Sequence, residues 1–134
     1  MTKAPSPDAL NAKVPFAKYL GIRITRAEPD LVCGELDVTE NKTTYPGILH
    51  GGAIMAFADN LGALGTVINL PEGAGGTTTL ESKTNFMRAI PLGTTATAES
   101  RPVHKGSRTM VWRTDIFTAD GKLAATVTQT QMVI

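Results

Sequence analysis

Two features of this sequence could do chemistry. One is Asp59, a lone carboxylate inside the apolar run from His50 to Leu70; the other is His50-Gly51-Gly52-Ala53, which opens that run. If the run is a helix, its first amides lack internal partners and carry the positive end of the helix dipole. Consecutive glycines let an incoming carbonyl reach those amides without side-chain obstruction. A carbonyl held there is polarised, and a carboxylate two to three turns along can act on it as nucleophile or general base. Each residue also has a plain structural use: Asp59 pairing with a cation, His50 bonding its own loop, and Gly51 and Gly52 permitting a tight turn into the helix.

On a helical wheel of about 100° per residue, Ile54, Phe57, Leu61, Leu64 and Ile68 form one bulky face expected to pack on a sheet. The other side holds Gly52, Ala56, Asp59, Gly62, Ala63 and Thr66, with Met55 at its edge. So many small residues predict either the close approach of a second copy of the chain or a narrow slot for a substrate. A membrane span is rejected. The central carboxylate would cost about 2.5 to 3.5 kcal/mol on insertion, and no Lys or Arg flanks the run.

The elements that must position this helix are strands. Ile22 and Ile24 alternate with Arg23 and Thr25, a turn falls at Glu28-Pro29-Asp30, and Val32, Leu36 and Val38 share one face. After the helix, Thr77 to Arg88, Thr94 to Val103, Arg108 to Thr118 and Leu123 to Ile134 alternate in the same way. Turns are expected at Pro91-Leu92-Gly93, Lys105-Gly106 and Asp120-Gly121. Asp8 to Leu20 reads as one or two short helical turns interrupted at Pro15. Two strands, one long helix and four strands make an α+β domain in which one curved antiparallel sheet wraps the helix. The whole chain, residues 1–134, is expected to be a single domain with residues 1–7 as a loose N-terminus.

Composition narrows the function classes. With 42% hydrophobic and 19% charged residues and a formal charge of +1, the chain has no basic excess for nucleic acid. Cys33 is the only cysteine and the first residues are polar, so a reducing cytoplasm is the expected setting. No His, Cys and Asp stand at metal-ligand spacing, and neither a metal nor an organic cofactor is expected.

Pro46-Gly47-Ile48-Leu49-His50-Gly51-Gly52-Ala53, Asp59 nine residues after His50, and Thr79 to Arg88 followed by Pro91-Leu92-Gly93 form a more specific combination. It resembles the phenylacetic-acid-degradation type of hotdog thioesterases, relatives of 4-hydroxybenzoyl-CoA thioesterase. The likeness runs from about Phe16 to the C-terminus and includes the Asp120-Gly121-Lys122-Leu123 hairpin. The resemblance implies a hotdog fold, hydrolysis of an acyl-CoA to free acid and CoA, and assembly into homodimers or a homotetramer. It implies that Asp59 is the catalytic carboxylate, that the Gly51 amide polarises the carbonyl, and that His50 helps to orient the thioester. It also implies that Thr79 helps to hold the attacking water, reaching across from a neighbouring subunit. One position departs from the pattern: Thr44 stands where the family usually carries Asn or Gln, and a hydroxyl is shorter and lacks the amide donors.

For the substrate, Gly52, Met55 and Phe86 with Met87 are candidate slot residues, and Arg88, Lys105 and Arg108 are candidate partners for CoA phosphates. The acyl group, aromatic or medium-chain aliphatic, is open at this stage. Two rival functions use the same slot: a noncatalytic acyl-CoA-binding module, and a hotdog enoyl-CoA hydratase or dehydratase.

Overall fold

The computed structural model describes residues 6–134, apart from the side chains of Pro7 and Asp8. Most of the expected loose N-terminus, residues 1–5, lies outside the described residues. The expected short helical turns are two helices, α1 (Pro7–Asn11) and α2 (Pro15–Leu20). Pro15 opens α2, where its missing N–H is not needed, and Gly21 closes it at φ 73°, a left-handed conformation that glycine adopts without strain.

Strands β1 (Arg23–Glu28) and β2 (Leu31–Asp37) form the first hairpin. A single 3-10 turn, Glu40–Lys42, then leads to a small ribbon of β3 (Thr43–Thr44) and β4 (Ile48–Leu49), joined through the cis Tyr45–Pro46 bond. This ribbon carries the chain from β2 to the start of the long helix. Helix α3 (Gly51–Ile68) follows, then β5 (Thr77–Phe86), β6 (Thr95–Lys105), β7 (Thr109–Phe117) and β8 (Leu123–Val133). The six long strands form one antiparallel sheet in the order β1-β2-β6-β7-β8-β5, packed on one side against α3. This is the expected hotdog architecture.

The core lies between the concave face of the sheet and α3. Ile54, Phe57, Ala58, Leu61 and Leu64 of the helix are buried against Val32 and Leu36 of β2, Ala96 and Ala98 of β6, Ile116 of β7 and Val127 of β8. Each large side chain buried here contributes about 1.5 to 3 kcal/mol. Small residues at the sheet centre let the helix settle deeply. A Cβ at Gly34 would stand 3.1 Å from the Phe57 ring.

The small helix face behaves differently from its expectation. Gly62, Gly65 and Thr66 are buried by the chain's own sheet. The Gln129 side chain fills the space that Gly62 leaves open, and the Trp112 ring fills that at Gly65, at 2.4 Å and 2.6 Å from where a Cβ would sit. The sheet curves far enough round the helix to bring β7 and β8 to that side, which a flat wheel does not represent. Of that face, Gly52 is exposed, and Met55, Ala56, Asp59 and Ala63 remain partly open. Gly51–Ile68 is long and apolar enough to cross a membrane, yet its bulky face is the core of this domain.

Candidate active site

The ribbon and the His50 cap together shape the start of α3. His50 is the N-cap residue, and its Nδ1 accepts from the Gly52 N–H at 2.8 Å. The Ala53 and Ile54 amides donate to the His50 carbonyl, and the His50 amide donates to the Lys42 carbonyl, fixing the helix start to the preceding loop. Among the described residues, the Gly51 N–H has no acceptor. It opens into a cleft of about 410 Å3 lined by Thr44, Ile48, Phe86, Met87 and Arg88 among others. The Phe86 ring lies over Gly51 so closely that a Cβ there would meet it at 3.2 Å.

Asp59 stands half-buried further along the same helix. Its Oδ1 accepts from the Thr79 hydroxyl at 2.6 Å, and Thr79 Oγ1 in turn accepts from Gln131 Nε2 at 2.6 Å. The Thr77 hydroxyl reaches Gln131 Oε1 at 3.0 Å and the Met132 carbonyl at 2.8 Å. Gln129 Nε2 donates to the Asp59 main-chain carbonyl at 3.3 Å. Oδ2 of Asp59 has no partner among the described residues. Asp59 itself borders a cavity of about 200 Å3 whose other walls include Phe16, Leu20, Ile22, Ala56, Asn60 and Ala63.

Thr79 therefore meets Asp59 within one chain, on the adjoining strand β5, and not from a neighbouring subunit as the resemblance implied. The reason is topological: β5 is the edge strand beyond β8, and the curvature of the sheet carries it past the open side of α3. Gly51 and Asp59 do not converge. Eight residues of helix at about 1.5 Å each separate them by about 12 Å, whereas reacting groups must approach within about 3.5 Å.

The other candidate residues divide in the same way. Thr44, Phe86 and Arg88 gather round the Gly51 cleft. Gly52 is exposed with its amide held by His50, and Met55 is half-buried one turn before Asp59. Lys105 and Arg108 lie at the opposite end of the domain. Lys105 bonds Asp30 at 2.6 Å and reaches Asn69, the C-cap of α3, at 3.3 Å. They flank a sheet turn whose long strands carry it the whole length of the helix away from Gly51, so within one chain these two cations do not join Arg88.

Gln129, Gln131, Asn60 and Phe16 are site neighbours that the sequence reading passed over. A signal for the two glutamines was present. Alternation from Ala125 through Val127 puts both on the core face, where an uncharged polar side chain needs a partner. Ion pairs elsewhere are surface features. Arg23 chelates Asp37 and holds that carboxyl at about 2, and burial pushes the Cys33 thiol up. Among the described residues no group of His, Cys, Asp and Glu could hold a metal ion.

Comparison with known proteins decides the family. The model of the thioesterase superfamily matches residues 46–125, more than half of the chain. The chain belongs to this superfamily. A thioesterase relative, the 1,4-dihydroxy-2-naphthoyl-CoA hydrolase of Escherichia coli K12, is 29% identical over 130 residues, covering 95% of this chain and 93% of that one. The crystal structure of thioesterase HI1161 of Haemophilus influenzae superposes with a TM-score of 0.89 at 29% identity, over 98% of this chain and 92% of that one. A hypothetical thioesterase protein of Streptococcus pneumoniae, solved with coenzyme A, superposes at 0.77 with 25% identity, over 84% and 85% of the two chains. The matched segment of this thioesterase holds Gly51, Asp59 and Thr79 together.

Proposed function

We propose that the protein hydrolyses acyl-CoA thioesters at a site shared by two copies of the chain, with Asp59 from one and the Gly51 amide from the other. The observation that carries this is the pair of half-sites about 12 Å apart on one helix: a clamped carboxylate beside an apolar cavity, and an unpaired amide beside an open cleft. Neither half hydrolyses a thioester efficiently alone. A second α3 running antiparallel beside the first would bring each Gly51 amide over the other chain's Asp59.

The free edge of β5 supports that pairing. It is ten residues long, ends the sheet, and carries Leu80 outward at 58% exposure. An edge of this kind is a ready template for pairing with another strand. A dimer joined there would place two copies of α3 side by side.

In such a site the thioester carbonyl accepts from the Gly51 N–H as negative charge builds on its oxygen. Asp59, through the oxygen not held by Thr79, attacks the carbonyl carbon or takes a proton from the water that does. The C–S bond breaks, CoA leaves as the thiol, and water supplies the hydroxyl of the product acid. The cavity between α2 and α3 takes an apolar acyl group, and the cleft with Arg88 takes the CoA arm and a phosphate. The name of the Escherichia coli relative, a 1,4-dihydroxy-2-naphthoyl-CoA hydrolase, supports testing aromatic acyl groups first. His50 acts by capping α3, which holds the Gly51 amide in place, and its outward Nε2 is available to the thioester.

The test is release of CoA thiol from a panel of aromatic and aliphatic acyl-CoAs by the wild type and Asp59→Ala. Turnover that falls by about 100-fold or more in the variant supports the reading. Equal turnover in both proteins overturns the role of Asp59, and wild-type binding without turnover points to an acyl-CoA-binding module.

A further inference from the structure

We infer that Gln131 is a positioning residue for Asp59, acting through the Thr79 hydroxyl. This rests on the reading of Asp59 as the reactive carboxylate.

Gln131 is fully buried on β8, in a row with Ala125, Val127 and Gln129. A primary amide in that row carries a desolvation cost unless both of its ends are bonded. Nε2 donates to Thr79 Oγ1 at 2.6 Å, and Oε1 lies 3.0 Å from the Thr77 hydroxyl, whose one proton is shared with the Met132 carbonyl at 2.8 Å. The polarity of this chain matters. An amide nitrogen can only donate, so it occupies a lone pair of Thr79 and leaves the single hydroxyl proton of Thr79 for Asp59 Oδ1. Thr79 is thereby fixed as a donor to the carboxylate, and Oδ2 is left for the substrate side.

The backbone explains why a second anchor is needed. Thr79 sits on the edge strand immediately before a register shift at Thr79/Glu81, where one side of β5 has no neighbour. Gln131 sits on an interior strand, paired with Thr79 on one side and Met110 on the other. The relay therefore runs from a rigid strand, through a less constrained one, to the carboxylate. Gln129, two residues earlier on the same face, bonds the main-chain carbonyl of Asp59. The two glutamines thus address Asp59 at its side chain and at its backbone.

Steady-state kinetics of the full-length protein test this with Gln131→Met, Thr79→Val, the double variant and Asp59→Ala, on the best substrate of the panel. For Gln131→Met the expected result is a loss of roughly tenfold in kcat with KM within about twofold, because one donor bond set is lost while the binding surfaces stay. The double variant should be no slower than Thr79→Val alone, since Gln131 works only through that hydroxyl. Should Gln131→Met fail to fold, Gln131→Asn keeps the amide but withdraws it from Thr79 by one carbon, and the same loss is expected. Unchanged kcat in a folded Gln131 variant, or losses that multiply in the double variant, would overturn the inference while the Asp59 reading stands. Full turnover by Asp59→Ala would overturn both.

Discussion

The Thr79 hydroxyl donates to Asp59 Oδ1 at 2.6 Å between strand β5 and helix α3 of one chain. The bond ties the only carboxylate on α3 to the free edge of the sheet. The second carboxylate oxygen has no partner among the described residues, and Asp59 borders the cavity walled by Phe16, Leu20 and Ile22. What a single chain lacks at Asp59 is an amide to receive the carbonyl oxygen, and the unpaired Gly51 N–H lies too far along the helix to serve.

Thr79→Val should therefore lower kcat by about 10- to 100-fold, the worth of a hydrogen bond to a charged group. Thr79→Ser, which keeps the donor, should recover most of that loss. The check is kcat for the three proteins, with circular dichroism to establish that the sheet is intact.

Gly51→Pro deletes the proposed carbonyl donor with little damage to the helix. Proline is tolerated at the first helical position, and His50 before it has φ −62° and ψ 136°, the extended conformation that proline demands of its predecessor. Phe86, at 54% exposure, has room to move off the added ring. Turnover should fall by about 100-fold. Co-expressed with Asp59→Ala, it should recover to about a quarter of wild type, because random pairing makes half the dimers mixed, each with one complete site. No recovery in a verified mixed dimer would rule out the shared site.

Gly65→Ala would be expected to stabilise a helix by about 1 kcal/mol on propensity alone. Here the new Cβ would fall 2.6 Å from the fully buried Trp112 ring. Overpacking of this kind costs about 1 to 3 kcal/mol, so the net change should be a loss of stability. Urea unfolding at equilibrium measures it.

Arg88→Ala should raise KM for acyl-CoA several-fold with little change in kcat, since Arg88 lines the cleft beside Gly51. Lys105→Ala should leave KM unchanged, its ammonium being engaged with Asp30 at the far end of the helix. Saturation curves for the two variants make the comparison.

The Arg23 guanidinium, and then the Thr95 hydroxyl, hold Asp37 at about 2, below its ordinary 3.8. A carboxyl depressed by folding adds stability above its unfolded value and loses it as pH falls through the folded one, so this contribution is complete above about pH 5 and fades toward about pH 2. Both side chains are about half exposed, which limits it to roughly 1 kcal/mol or less. Asp37→Asn should narrow the difference in unfolding free energy between about pH 6 and about pH 3, measured by urea titration, by about half of that amount, since the folded carboxyl is still largely ionised at about pH 3.

Local patterns were enough for most of the architecture. Strand alternation, the apolar run and the turn residues placed one helix and six sheet strands close to their observed bounds, because each depends on neighbours a few residues apart. The β3–β4 ribbon escaped notice because two-residue strands leave no period to read. The carboxylate, the two-glycine helix start and the hydroxyl at Thr79 were recognisable from residue type and spacing.

Which of these groups meet was decided by the tertiary structure. Sheet curvature set Thr79 against Asp59 in one chain, turned Gly62 and Gly65 toward Gln129 and Trp112, and placed Lys105 at the wrong end of the helix to join Arg88. Gln131 could be read as an inward polar residue, but its partner lies on a strand 52 positions away. Periodicity encodes the face a residue shows, a property of the local backbone. The strand order β8-β5 and the depth at which the helix settles arise from packing the whole core at once, and these chose the neighbours of Asp59.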